Sequence, residues 1–121
     1  SGQRAIYAVD VYTPTAYIPG MVFIETPIFS KQVIEVLTDE QYGLLQASLV
    51  AKPNAGDLIK GSGGLRKLRR AVPGRGKSGG VRIVYFWRVS ESQILMLTTK
   101  NVQANLTPAQ VKQLAKLLSL A

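Results

Sequence analysis

The apolar positions of this chain change period several times, and each change marks an element. Met21 to Glu25 reads as a short strand. Thr26-Pro27 then supplies an N-cap followed by proline at the first helical position, and Phe29, Val33 and Val36/Leu37 recur at helical spacing. Thr38 opens a second helix, with Gln41 three residues on completing a capping box. Tyr42, Leu45 and Leu49 share its apolar face, and Lys52-Pro53-Asn54 stops it. So short a joint between two helices predicts an antiparallel pair.

Asn54 to Gly64 reads as a loop or edge segment carrying Leu58 and Ile59. Two alternating, strand-forming pieces follow, LRKLRRAV and VRIVYFWRV, joined by the turn-rich segment PGRGKSGG; together they predict a β-hairpin. Gln93 to Thr98, QILMLT, reads as a further apolar strand deep in the sheet, completing an antiparallel meander of three strands. Lys100 to Leu106 is a connector. Thr107-Pro108 with Gln110 opens a last helix, whose stripe of Val111, Leu114, Ala115 and Leu118 is a packing face. The order predicts an α+β fold: an N-terminal strand and two-helix hairpin packed on a twisted antiparallel sheet, then a C-terminal helix.

Residues 1–20 are unlike the rest and hold three of the five tyrosines. They form an N-terminal extension, either the remnant of an expression tag or an added edge strand built on AIYAVDVY, ahead of a domain over residues 21–121. A chain of 121 residues needs no second domain.

Charge changes the picture. Arg66, Lys67, Arg69, Arg70, Arg75, Lys77 and Arg82 crowd into Gly61–Tyr85, while no Asp or Glu occurs between Asp57 and Glu91. A one-signed block of this length either repels itself in solution or meets a polyanion. With a net charge of +8, nucleic acid is the leading partner, ahead of an anionic membrane or an acidic protein. Strand alternation places Lys67 and Arg69 on one face and Arg66 and Arg70 on the other, with Arg82, Val84, Phe86 and Arg88 sharing a face on the second strand. If the register sets Arg82 beside Lys67 and Arg69, three cations converge; otherwise the hairpin's charges are merely solvated. Tyr85 and Trp87 fall opposite Arg82 and are expected in the core, with stacking on RNA as their alternative.

The chain has no cysteine and no histidine, which removes disulfides, thiol nucleophiles, catalytic triads and nearly every zinc site. The seven carboxylates are scattered, with Asp39 and Glu40 in a first helical turn, so a two-metal cluster is not expected. GRGKSG matches a glycine-rich phosphate loop, but such loops require a helix directly afterwards and a strand follows, so the glycines read as the hairpin loop. No apolar run approaches a membrane span and no leader precedes a cleavage site, so a soluble, cytoplasmic protein is expected.

The order of elements, together with GSGGLRKLR and GKSGGVRIVYF, resembles the RelE/HigB branch of the RelE/ParE toxin superfamily over about residues 21–118. The resemblance implies a toxin of a type II toxin–antitoxin system: a ribosome-dependent mRNA endonuclease, with the mRNA in the ribosomal A site and a cognate antitoxin as partners and no cofactor. Cleavage would proceed by attack of the RNA's own 2′-hydroxyl on the adjacent phosphate, without a metal. On this reading Lys67, Arg69 and Arg82 form the catalytic surface, with Lys67 as base or phosphate anchor and the two arginines stabilising charge. Arg66, Arg70, Arg75, Lys77 and Lys100 bind RNA phosphates. The pattern departs from its relatives in LTTKNV: Thr98 stands where a tyrosine is expected and Val102 where a glutamate is, which removes a stacking platform and a proton donor. A gyrase-poisoning toxin of the same fold, an inactive RNA-binding remnant and a basic adaptor for an acidic protein are the competing readings.

Overall fold

A computed structural model of the protein describes residues 4–7, 11–13, 16–18, 21–72, 80–101 and 106–118, with side chains over 21–72, 80–99 and 106–118. Its elements run β1 (Arg4–Tyr7), β2 (Val11–Thr13), β3 (Ala16–Ile18), β4 (Val22–Glu25), α1 (Pro27–Val36), α2 (Asp39–Ala51), β5 (Asp57–Leu58), β6 (Leu65–Arg70), β7 (Val81–Arg88), β8 (Gln93–Asn101) and α3 (Pro108–Leu118). Six strands form one sheet in the order β1-β4-β8-β7-β6-β5, and β2 and β3 pair separately. The α+β class and the helix–sheet order follow the apolar periodicity.

The caps explain where the helices begin. Thr26 accepts the Phe29 N–H at 3.0 Å ahead of Pro27. Thr38 and Gln41 exchange the two bonds of a capping box, as do Thr107 and Gln110 at α3.

Two features of the sheet differ from the alternation-based expectation. The sheet is not wholly antiparallel, because β4 runs parallel to β8, from Val22 opposite Gln93 to Glu25 opposite Met96. Parallel neighbours need a long crossover, and everything from α1 to β7 supplies it. The last strand also runs past Thr98 to Asn101, so Lys100 and Asn101, assigned to a connector, pair instead with Arg82 and Val81 of β7. At the other end of the chain, β1 pairs antiparallel with β4, with a register irregularity between Ala5 and Tyr7.

Both faces of β8 are covered, which is why Ile94 to Leu97 are apolar without alternation. Ile94 and Met96 pack with Phe23, Phe29, Val33, Leu45 and Leu49 beneath α1 and α2. Leu95 and Leu97 pack with Leu65 and Val84 beneath Leu114, Leu117 and Leu118 of α3. The molecule therefore has three layers, and the α3 layer shares its sheet face with Lys67, Arg69 and Arg82.

Two polar anchors lock the helix side. Glu25, 4% exposed, accepts hydrogen bonds from Ser30 Oγ at 2.6 Å and Tyr42 OH at 2.5 Å, joining β4 to both helices. Tyr85 is a core residue, and Trp87 packs partly buried against the same cluster. The Tyr85 hydroxyl donates to Pro53 O at 2.6 Å and accepts from Gly56 N at 2.9 Å, pinning the loop ahead of β5. A Cβ on Gly56 would stand 2.9 Å from both Lys67 O and the Tyr85 ring, so this approach requires glycine.

Burial raises the Tyr85 pKa above the usual phenol value, partly offset by the Gly56 hydrogen bond and the nearby Arg66 charge. Replacing Tyr85 with Phe leaves Gly56 N–H and Pro53 C=O without their partner and is expected to cost about 1–3 kcal/mol in urea unfolding. Because the folded state favours the neutral phenol, that deficit should be full below a pH of about 10 and should narrow as the pH rises above it. A Tyr85→Phe variant as stable as the parent at neutral pH would remove this anchor from the account.

Candidate functional site

The register of the central hairpin decides whether its cations meet. β6 pairs with β7 so that Arg69 lies directly opposite Arg82, and β7 pairs with β8 so that Arg82 lies directly opposite Lys100. Three basic residues thus occupy one level across three adjacent strands, in a row. Lys67, opposite Val84, stands two residues from Arg69 on the same strand and face. Opposed like charges on a sheet destabilise it by some tenths of a kcal/mol per pair, about 0.2–1 kcal/mol by the usual scale. Such an arrangement is rational where a polyanion supplies the countercharge.

The members of this set differ in their surroundings. Arg82 is 8% exposed and held in the sheet, whereas Lys67 and Arg69 are exposed. A guanidinium fixed by packing suits a site where charge develops at a defined point, while exposed cations suit binding a flexible backbone.

The remaining predicted positions separate. Arg66 turns to the helix side and donates through Nη1 to Gly56 O at 2.7 Å and Asn54 O at 3.3 Å, so its charge holds the loop that precedes β5. Arg70 is also on the helix side; together with Arg69, Leu37, Gln41, Leu44 and Ala71 it lines a cavity of ≈ 380 Å³ at the end of β6. Lys100 takes its place in the row by register. Arg75, Lys77 and the glycine-rich loop that contains them lie outside the described residues, as does Val102. Val81 begins a strand at once after that loop, which is not the context of a phosphate loop.

A groove continues from the cationic face along α3. A pocket of ≈ 260 Å³ is lined by Lys67, Arg82, Ile59, Leu106 and Val111. It shares Ile59, Leu106 and Val111 with a larger one of ≈ 650 Å³ that adds Lys60 and Lys112. Val111, part of the predicted packing stripe, therefore lines a cavity instead, while Leu117 joins Leu114 and Leu118 in the packing.

Thr98 occupies the position where the resemblance expects tyrosine. It is 7% exposed, and its hydroxyl donates to Gln32 Oε1 at 3.0 Å. That hydroxyl is engaged with a helix, so it offers neither a stacking surface nor an available proton donor.

Three placements near the site escape sequence reasoning. Asp57 on β5 takes the register position opposite Lys67, which places a carboxylate beside the cationic face. Only the pairing of a two-residue edge strand reveals it. Thr26 donates through Oγ1 to Leu97 O at 2.7 Å, and Gln32 accepts from Thr99 N at 2.8 Å, both reaching β8 from α1. Separations of about 70 positions leave no local signal for these contacts.

No protein-family model matches the chain. Among solved structures, it is similar to the toxin RelE of E. coli, determined in the free state with two arginines replaced by alanine. The superposition has a TM-score of 0.57 at 14% sequence identity and covers 82% of this chain and 97% of that one. The layered sheet, the two-helix crossover and the C-terminal helix that frame the Arg69–Arg82–Lys100 row thus build a RelE-like fold.

Proposed function

We propose that this protein is the toxin of a type II toxin–antitoxin system and an endoribonuclease that cuts mRNA in the ribosomal A site, inhibiting translation in the cytoplasm. The observation that carries the reading is the row of Arg69, Arg82 and Lys100 with Lys67 beside it, on a RelE-like sheet. Residues 21–121 carry the activity on this reading, and a cognate antitoxin covers the basic face.

The chemistry asks little of the protein. The 2′-oxygen of the RNA forms a bond to the adjacent phosphorus while the bond to the 5′-oxygen breaks, leaving a 2′,3′-cyclic phosphate and a 5′-hydroxyl. Lys67 accepts the 2′-hydroxyl proton as base, or it anchors the phosphate while water takes that proton. Arg82, fixed in the sheet, and Arg69, at its edge, neutralise the charge that grows on the non-bridging oxygens. With the Thr98 hydroxyl held by Gln32, water protonates the leaving 5′-oxygen. Arg70, Arg75, Lys77 and Lys100 extend phosphate binding, and Arg66 contributes field from within the framework.

Induced expression of the full chain should arrest growth and create new mRNA 5′ ends at A-site codons on translating ribosomes. The Lys67→Ala/Arg82→Ala double variant should abolish both effects. Well-expressed, folded protein with neither arrest nor cuts would refute the nuclease reading; continued translation with a rising DNA-damage response would favour a gyrase poison.

The products give a second check. Cleavage should persist in EDTA and leave 2′,3′-cyclic phosphate termini, and Arg82→Ala alone should slow it by about 10²–10³-fold, the cost of removing one preorganised charge stabiliser. Loss of cutting on chelation, restored by Mg²⁺, would overturn the metal-independent route.

A further inference from the structure

Lys100 joins the cationic row because β8 carries one extra residue. From Arg88 opposite Gln93 to Tyr85 opposite Met96, β7 and β8 keep one register. Continued unbroken, it would set Arg82 opposite Thr99. The register instead shifts between Val84 and Tyr85, so that Val84 faces Thr98 and Arg82 faces Lys100. Leu97 is the additional residue, a β-bulge. A shift of one residue exchanges the two faces of a strand, so the bulge is what admits residue 100 to the row.

What holds the bulge is found on the other edge of β8. β4 ends at Glu25, opposite Met96, and from there α1 takes over. Thr26 N donates to Met96 O at 3.0 Å, and Thr26 Oγ1 donates to Leu97 O at 2.7 Å. Gln32 Oε1 then accepts both Thr99 N at 2.8 Å and Thr98 Oγ1 at 3.0 Å. One side-chain carbonyl thus serves the first two residues beyond the bulge, in the place a neighbouring strand's carbonyl would take.

We propose that Gln32 is a positioning residue of the cationic site: its amide oxygen holds the β8 bulge in the register that brings Lys100, rather than Thr99, opposite Arg82. The functional consequence rests on RNA phosphate being the ligand of the row. Thr26 shares in holding the bulge, but it also caps α1, so Gln32 is the member whose contribution can be removed alone. Gln32→Met preserves length and helix propensity while deleting the acceptor.

The test uses the full chain and two readouts. NMR should show a backbone cross-strand NOE between residues 82 and 100 in the parent and in Gln32→Glu, which keeps an acceptor oxygen, and its loss in Gln32→Met. Binding of a short single-stranded RNA oligonucleotide should weaken with salt, and Lys100→Ala should lower the slope of log affinity against log salt by about 0.7, the contribution of one phosphate contact. Gln32→Met should lower it equally, and the double variant no further. A general loss of stability would reduce the folded fraction without changing that slope.

Persistence of the 82–100 NOE in Gln32→Met overturns the proposal. So does a parental slope in Gln32→Met when Lys100→Ala has lowered it, or a double variant that falls below Lys100→Ala. Salt-insensitive or absent RNA binding by the parent overturns the RNA reading, and the NOE comparison still decides whether Gln32 sets the register.

Discussion

A long central strand must have its backbone groups bonded along both edges, and β8 has to meet that requirement with unequal neighbours. β7 accompanies it for its whole length, from Gln93 to Asn101, whereas β4 accompanies it only to Met96. Beyond that point the second edge is served by α1, through the cap residue Thr26 and the side chain of Gln32. An unsatisfied buried amide or carbonyl costs on the order of 1–3 kcal/mol, a large share of the stability of a small domain. The placement of α1 against the sheet is therefore tied to the hydrogen-bond inventory of β8 as much as to the burial of Phe29 and Val33.

That arrangement separates cohesion from charge. Apolar packing on both faces of β8 and the anchors at Glu25 and Tyr85 supply rigidity away from the cationic row. The row itself opposes folding through repulsion between neighbours. Arg66 is the exception that shows how basic residues divide their roles: it belongs to the same sequence block as Lys67 and Arg69, yet it is engaged by the carbonyls of Asn54 and Gly56. Alternation puts it on the other face, and there its charge holds structure together.

Much of this was legible from residue pattern. Thr26-Pro27, Thr38 with Gln41, and Thr107 with Gln110 announce helix starts because capping chemistry is local. The alternation of LRKLRR and VRIVYF announces the two faces of the hairpin because the strand period is fixed. The parallel pairing of β4 with β8 was not legible, since it joins segments about 70 residues apart. Nor was the continuation of β8 through Thr99 and Lys100, whose polarity suggests a loop when the partner strand is unknown. Asp57 beside Lys67 and the grip of Gln32 on the bulge likewise depend on register, which local composition does not encode. Thr98, at the position where the resemblance expects an aromatic ring, is buried and engaged by Gln32, a contact across 66 positions that the local sequence does not announce.

The bulge at Leu97 also bears on how such a sheet changes over evolutionary time. Register beyond it is assigned by counting, so the loss of a single codon would change which of residues 98–101 stands opposite Arg82. Every side chain could stay the same while the surface changed its electrostatic character. Point substitutions alter this site one charge at a time, but an in-frame deletion of three nucleotides would rewrite its edge in one step.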